Sequence, residues 1–135
     1  MRQVCVIIFN IIRMNIQQIR DNASYVNYCR QYYFLKIRPS DSDSKNTDEY
    51  KNLVEIAKLY FKNNLQAEFS SYLMGDQYLV QLWTAHLILE FGNPDEELID
   101  DCLKEIKNYS ITPLDQQLAK QEKSWLSNYY LKKNQ

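Results

Sequence analysis

His86 is the only histidine in the chain, and Glu90 follows it by four residues. At that spacing both side chains lie on one face of a helix. Zinc-binding helices use the same spacing for two histidines, and here the second histidine is missing. We therefore interpret His86 as a partly buried histidine with a hydrogen-bonded carboxylate, and we expect no metal and no cofactor.

The chain offers little to nucleophilic catalysis. Cys5, Cys29 and Cys102 are an odd, widely spaced set without a C-x-x-C pair, so we expect small buried hydrophobic residues in a reduced, cytoplasmic protein. No serine lies in a G-x-S-x-G turn, and two isolated glycines cannot form a phosphate-binding loop. The sequence therefore predicts no catalytic residues and no enzymatic activity.

Carboxylates crowd the start of one predicted helix. Residues 76–105 hold eight acidic residues and one basic residue. The acidic face comprises Asp95, Glu96, Glu97, Asp100, Asp101 and Glu105. One interpretation is a hydrated surface whose first carboxylates suit the helix dipole. The other is a binding surface for a basic partner, because such a potential speeds and orients association.

Basic and aromatic residues alternate in a second segment, which contains Arg30, Tyr32, Tyr33, Phe34 and Lys36. Such residues can stack on bases, or the rings can pack inward while the cations stay hydrated. Residues 1–38 carry a net charge of +5 and residues 39–135 a net charge of −6, so the two parts either face each other or present separate surfaces. The total of −1 and a pI near 5.8 give no support for a dedicated nucleic-acid binder, and nucleic acid is not the expected partner.

Composition favours one all-α domain over residues 1–135. The 135 residues are 45% hydrophobic and 24% charged, with only 2 Gly and 3 Pro, whereas an all-β fold needs frequent turns. Apolar residues at helical spacing predict an antiparallel array of about five to six helices. The predicted helices span residues 15–36, 48–62, 65–74, 77–91, 94–109 and 113–132.

Local signals refine these boundaries. Thr47, Asp76, Asn93 and Thr112 are the predicted N-caps, and Gly75 is the predicted left-handed C-cap of helix 65–74. The helix over 77–91 is apolar nearly all round, which predicts a central position with Trp83 buried. The polar segment 38–47 lacks an apolar anchor and is predicted to be a mobile loop.

The N-terminal residues 1–13 contain a short apolar run, Val4 to Ile12. Three interpretations stay open: a first element packed on the core, a non-native or loosely attached extension with translation starting at Met14, or a signal or anchor. The run is too short to span a bilayer, so we expect no membrane partner.

Over residues 65–132 the chain resembles HEAT-like helical repeats, and more narrowly a group of small bacterial proteins of unknown function. The resemblance rests on the segment from Tyr78 to Gly92, on Leu98–Ile106, and on the later Leu118–Ala119 and Trp125–Leu126 pairs. Some members of such groups are immunity proteins encoded beside bacterial toxins. The resemblance therefore implies a non-enzymatic immunity protein, and together with the acidic face it favours a protein-binding module that occludes a basic toxin domain. The basic segment 13–38 suggests the alternative, a nucleic-acid-associated regulator.

Overall fold

A computed structural model describes residues 15–134, which are helical and contain no β-strand. Seven α-helices and two short 3₁₀ helices lie in this part of the chain. The α-helices are α1 Ile16–Asp21, α2 Ser24–Phe34, α3 Asp48–Lys62, α4 Gln66–Ser70, α5 Val80–Phe91, α6 Glu96–Ser110 and α7 Gln116–Lys133. The 3₁₀ helices are Ser44–Asn46 and Ser71–Met74. The predicted all-α class is confirmed.

Helix α5 is the centre of the domain, as its apolar composition predicts. It packs against α2, α3, α4 and α6. Trp83 is 1% exposed, and its ring lies 5.5 Å from that of Tyr50 on α3. The hydroxyl of Tyr25 on α2 forms a 2.9 Å hydrogen bond with Thr84 Oγ1, which ties α2 to the same core.

The C-terminal half is a succession of α5, α6 and α7, in which α6 packs against both of its neighbours. Each connection is only a few residues long, and short connections impose antiparallel packing on adjacent helices. The array is thus as predicted, while its HEAT-like character stays a prediction.

The predicted helix over residues 15–36 is wrong in one respect, because it is broken between α1 and α2. Ala23 has a left-handed backbone, with φ of 51°. The side-chain amide of Asn27 donates to the carbonyl oxygen of Asn22 at 3.1 Å, which satisfies a group at the break. The apolar spacing continues across the break, so periodicity alone does not reveal it.

Two predicted N-caps are displaced toward the C-terminus by two to three residues. Asp95 Oδ1 accepts from the Leu98 amide at 2.9 Å, so Asp95 rather than Asn93 caps α6. Asp115, not Thr112, caps α7 in the same way. The Asn93 backbone is instead held by two hydrogen bonds to the Gln66 side chain. The Thr47 cap of α3 is confirmed.

The start of α5 also differs from the prediction. Leu79, not Asp76, occupies the cap position, and it has a left-handed backbone and no side-chain cap. Gly75 is extended, with φ of −71°, so the predicted left-handed cap is wrong. A side chain at Gly75 would place its Cβ only 3.1 Å from Val80 Cγ1, so close packing accounts for this glycine.

Segment 38–47 is held by several local contacts. Pro39 and Ser44 are buried. The Ser44 hydroxyl accepts from the Arg38 amide at 3.0 Å and donates to Asp41 Oδ2 at 3.1 Å. The mobility of this segment stays a prediction.

The interpretations of residues 1–13 fall outside the described residues. None of the helices found in residues 15–134 has the length and hydropathy required to cross a membrane.

Candidate protein-binding face

Helix α6 presents the acidic face to solvent. Glu96, Glu97, Asp100 and Asp101 are exposed. The opposite side of the helix is anchored in the core through Cys102 and two other buried residues, Leu103 and Ile106. This division follows from the sequence, because the apolar residues of α6 recur at helical spacing. Four of the six predicted carboxylates therefore share one accessible, firmly supported surface.

Asp95 and Glu105 have different surroundings. Asp95 is exposed but is engaged as the N-cap of α6, so its carboxylate has a structural task. Glu105 is half-buried, and desolvation raises the pKa of its carboxyl, while the Lys104 charge partly opposes that shift. At the two ends of the acidic face, Asp95 thus stabilises the start of α6 and Glu105 is partly withdrawn from solvent.

A shallow groove of about 330 Å³ borders the start of α6. Asp95, Glu97 and Asp101 line one side, and Ala67 and Ser70 of α4 line the other. Gln66 and Asn93 close one end through their paired hydrogen bonds of 2.6 and 3.1 Å. A cationic side chain of a partner would meet three carboxylates in this groove.

Gly92 allows α4 to approach this region closely. A Cβ at position 92 would lie 2.6 Å from Gln66 Oε1 and 2.8 Å from the Ile88 carbonyl oxygen. Any side chain there would push away the residue that holds Asn93. Gly92 therefore ends α5, as predicted, and also shapes the groove.

No salt bridge within residues 15–134 involves the acidic face. The ion pair in that range joins Arg20 to Glu68, and His86 Nε2 contacts the Glu122 carboxylate. Arg20 belongs to the basic segment, and its Nε and Nη2 contact Glu68 at 2.6 and 2.5 Å. Within this range, none of the basic side chains of residues 15–38 forms a salt bridge with α6. The acidic face is therefore a separate surface.

His86 is fully buried, and its carboxylate partner is Glu122 of α7, not Glu90. Nε2 of His86 lies 2.6 Å from Glu122 Oε1, and the two side chains are 3% and 0% exposed. Glu90 is exposed on the surface. Sequence reasoning missed Glu122, although it falls in the apolar stripe of α7 formed by Leu118, Ala119, Trp125 and Leu126; a lone carboxylate in such a stripe indicates a buried partner.

A serine also approaches this pair, since Ser40 Oγ lies 3.1 Å from His86 Nε2. A Ser–His–acid triad uses both ring nitrogens, one toward the serine and one toward the acid. Here both groups meet Nε2, and Nδ1 is buried without a hydrogen-bond partner in the described chain. The arrangement therefore lacks the geometry of an acyl-transfer triad.

The described cysteines are also structural. Cys29 and Cys102 are buried free thiols, and desolvation raises the pKa of Cys102 to about 12. Both stay protonated at neutral pH, as expected of small hydrophobic residues, while Cys5 lies outside the described residues. Residues 15–134 contain no group of three or more metal-ligating side chains.

Comparisons of the chain with family models, with curated proteins and with solved structures give no match.

Proposed function

We propose that the protein is a non-enzymatic, cytoplasmic protein-binding module whose acidic face covers a basic site on its partner. The most concrete form is an immunity protein that occludes a basic toxin domain. The observation that carries the proposal is the set of exposed carboxylates on α6 that take part in no salt bridge within residues 15–134.

Physical chemistry connects this observation to binding. Asp95 caps α6, and Glu96 and Glu97 suit the dipole at its first turn. Clustered like charges nevertheless repel one another, whereas they attract a basic surface and orient it during encounter. The groove beside Asp95 and Glu97 provides a place where a partner's Lys or Arg can be desolvated. Enzymes that cleave nucleic acid need basic clefts to hold phosphates, so a toxin of that class fits such a surface.

The test uses the product of the adjacent reading frame as the partner. The triple variant Glu97→Gln, Asp100→Asn, Asp101→Asn removes three charges from the acidic face. We expect slower association than with the wild-type chain, and the difference should shrink as salt rises, because screening limits steering to about 8–10 Å. Stopped-flow or biolayer measurements at several salt concentrations report this rate.

A matched control removes three exposed carboxylates elsewhere. Asp21→Asn, Asp43→Asn and Asp76→Asn change the net charge equally but leave α6 intact. Equal association rates for the two triple variants would show that the acidic face is only a hydrated surface and has no specific role in binding. If the adjacent product does not bind the wild-type chain at all, the immunity proposal is wrong.

The alternative, a nucleic-acid-associated regulator that uses the basic segment 13–38, is less well supported in the first part of that segment than at its end. Arg20 is engaged by Glu68, and the ring of Tyr32 is 1% exposed, with its hydroxyl accepting from Asn52. The cations of this segment therefore do not form one continuous strip.

A further inference from the structure

Three aromatic rings form a cluster on the surface at the end of α2. Phe34 is 67% exposed and Tyr33 is 36% exposed. The Tyr33 ring centroid lies 5.3 Å from that of Phe34 and 5.7 Å from that of Tyr78, and the Phe34 and Tyr78 centroids are 5.9 Å apart. Each ring thus contacts the other two, although Tyr78 is distant in sequence.

Cations surround these rings. Arg30 Cζ lies 5.8 Å from the Tyr78 ring centroid, and Arg38 Cζ lies 5.1 Å from that of Tyr33. Lys36 is exposed beside them. Over residues 15–134 none of these three cations takes part in an ion pair. The aromatic–basic patch is defined by Tyr33, Phe34, Tyr78, Arg30, Lys36 and Arg38.

The backbone around the patch is strained at two places. Lys36 has φ of 60°, and Tyr78 and Leu79 have φ of 56° and 59°. Left-handed conformations are rare for residues other than glycine, especially bulky ones, and such strain clusters at binding sites. Here the Tyr78 ring packs against the rings of α2, and α5 begins without a side-chain cap.

We propose that the aromatic–basic patch binds single-stranded nucleic acid. Flat rings with adjacent cations match unstacked bases and their phosphates, since bases stack on aromatic side chains and arginine planes. A duplex hides its base faces, and an acidic peptide would use the cations without needing a flat ring at Phe34. The net charge of −1 makes this a local, modest site, and it uses residues other than those of the acidic face.

The test measures fluorescence anisotropy of a labelled oligothymidylate of about 12 nucleotides, a length within known single-strand site sizes. The full chain should bind with a Kd of about 10⁻⁴–10⁻⁶ M, and a duplex of equal length should bind more weakly. Phe34→Ala and Phe34→Leu should each weaken binding by about 5- to 100-fold, as expected from loss of base stacking. Phe34→Tyr should retain binding.

Leu131→Ala is a control matched to Phe34 in exposure, and Lys123→Ala is a control for the loss of one cation. Leu131→Ala removes an apolar side chain that is 64% exposed on α7 and should leave the Kd unchanged. Arg38→Ala should reduce the slope of log Kd against log salt by about 0.7, the value for one phosphate of a single strand. Lys123→Ala, an exposed cation on α7, should not.

Several results would overturn the proposal. One is the absence of binding by the wild-type chain at low salt. Another is an equal loss with Phe34→Ala and Leu131→Ala. A third is binding of polyglutamate with the same dependence on Phe34, which would assign the patch to an acidic protein. Melting curves establish that each variant is folded.

Discussion

Glu122 on α7 and Glu97 on α6 are both glutamates, but the first is buried and the second is exposed. Glu122 is 0% exposed and lies 2.6 Å from His86 Nε2. Glu97 is exposed, and no hydrogen bond or ion pair within residues 15–134 involves it. Both sit on amphipathic helices, so surroundings rather than residue type decide the role. Substituting Glu122 tests stability, whereas substituting Glu97 tests binding.

The largest effect should come from the interior of α5. Trp83→Ala should lower the free energy of unfolding by about 3–5 kcal/mol, because it deletes a large buried side chain. A denaturant titration measures this change. A loss below about 1 kcal/mol would show that α5 is not the core. Substitutions in the interior and on the surface of α6 would then have similar effects on stability.

The buried pair gives the next effect. Glu122→Leu should destabilise by about 3 kcal/mol, since it removes the buried carboxylate that contacts the polar ring of His86. The double variant His86→Leu, Glu122→Leu should recover much of that loss, because an apolar pair can replace a buried polar pair. The matched change Glu97→Leu on the surface should stay within about 0.5 kcal/mol. Equal effects at positions 122 and 97 would contradict the comparison.

The carboxylates of α6 should have a small effect on stability. Each of Glu97→Gln, Asp100→Asn and Asp101→Asn should change the free energy of unfolding by no more than about 0.5 kcal/mol, the usual range for surface substitutions. Equilibrium unfolding in urea measures each variant. A loss much larger than this would mean that these carboxylates support the fold, and the slower association expected of the triple variant would no longer report binding alone.

Glu105 is half-buried, between the buried Glu122 and the exposed Glu97. Its substitution should give the smallest change in the free energy of unfolding. Desolvation raises its folded-state pKa, so the folded chain binds more protons than the unfolded chain between the unfolded value, about 4.3, and the raised value. Stability therefore falls as pH rises through that window. Glu105→Gln should be neutral or slightly stabilising at pH 7, and any gain should vanish below about pH 4. The variant Glu97→Gln controls for the loss of one charge from α6, and a destabilised Glu105→Gln variant at pH 7 would contradict the prediction.

Local signals predicted much of this fold from sequence. Helix α3 and its Thr47 cap follow from adjacent residues, and the burial of Trp83 follows from an apolar helix. The exposure of the acidic face follows in the same way from the spacing of the apolar residues of α6.

Features set by distant contacts were not predictable in that way. The left-handed Leu79 at the start of α5 lies beside Tyr78, whose ring is fixed by α2. Glu122 and His86 are 36 residues apart, and only the packing of α7 brings them together. The aromatic run of α2 divides into buried Tyr32 and exposed Phe34 because one face of the helix meets α3, which periodicity alone does not locate.

The burial of His86 beneath Ser40 and α7 makes hydrogen exchange at its ring a measure of how often this part of the domain opens. The Ser40 hydroxyl contacts the imidazole, and so do the Trp125 ring and the Glu122 carboxylate of α7. Solvent therefore reaches the buried ring only when these contacts open. The ring carbon between the two nitrogens exchanges its hydrogen for deuterium slowly, and burial slows it further. Because His86 is the only histidine, mass spectrometry of a single peptide would report the fraction of molecules in which this ring is open to solvent.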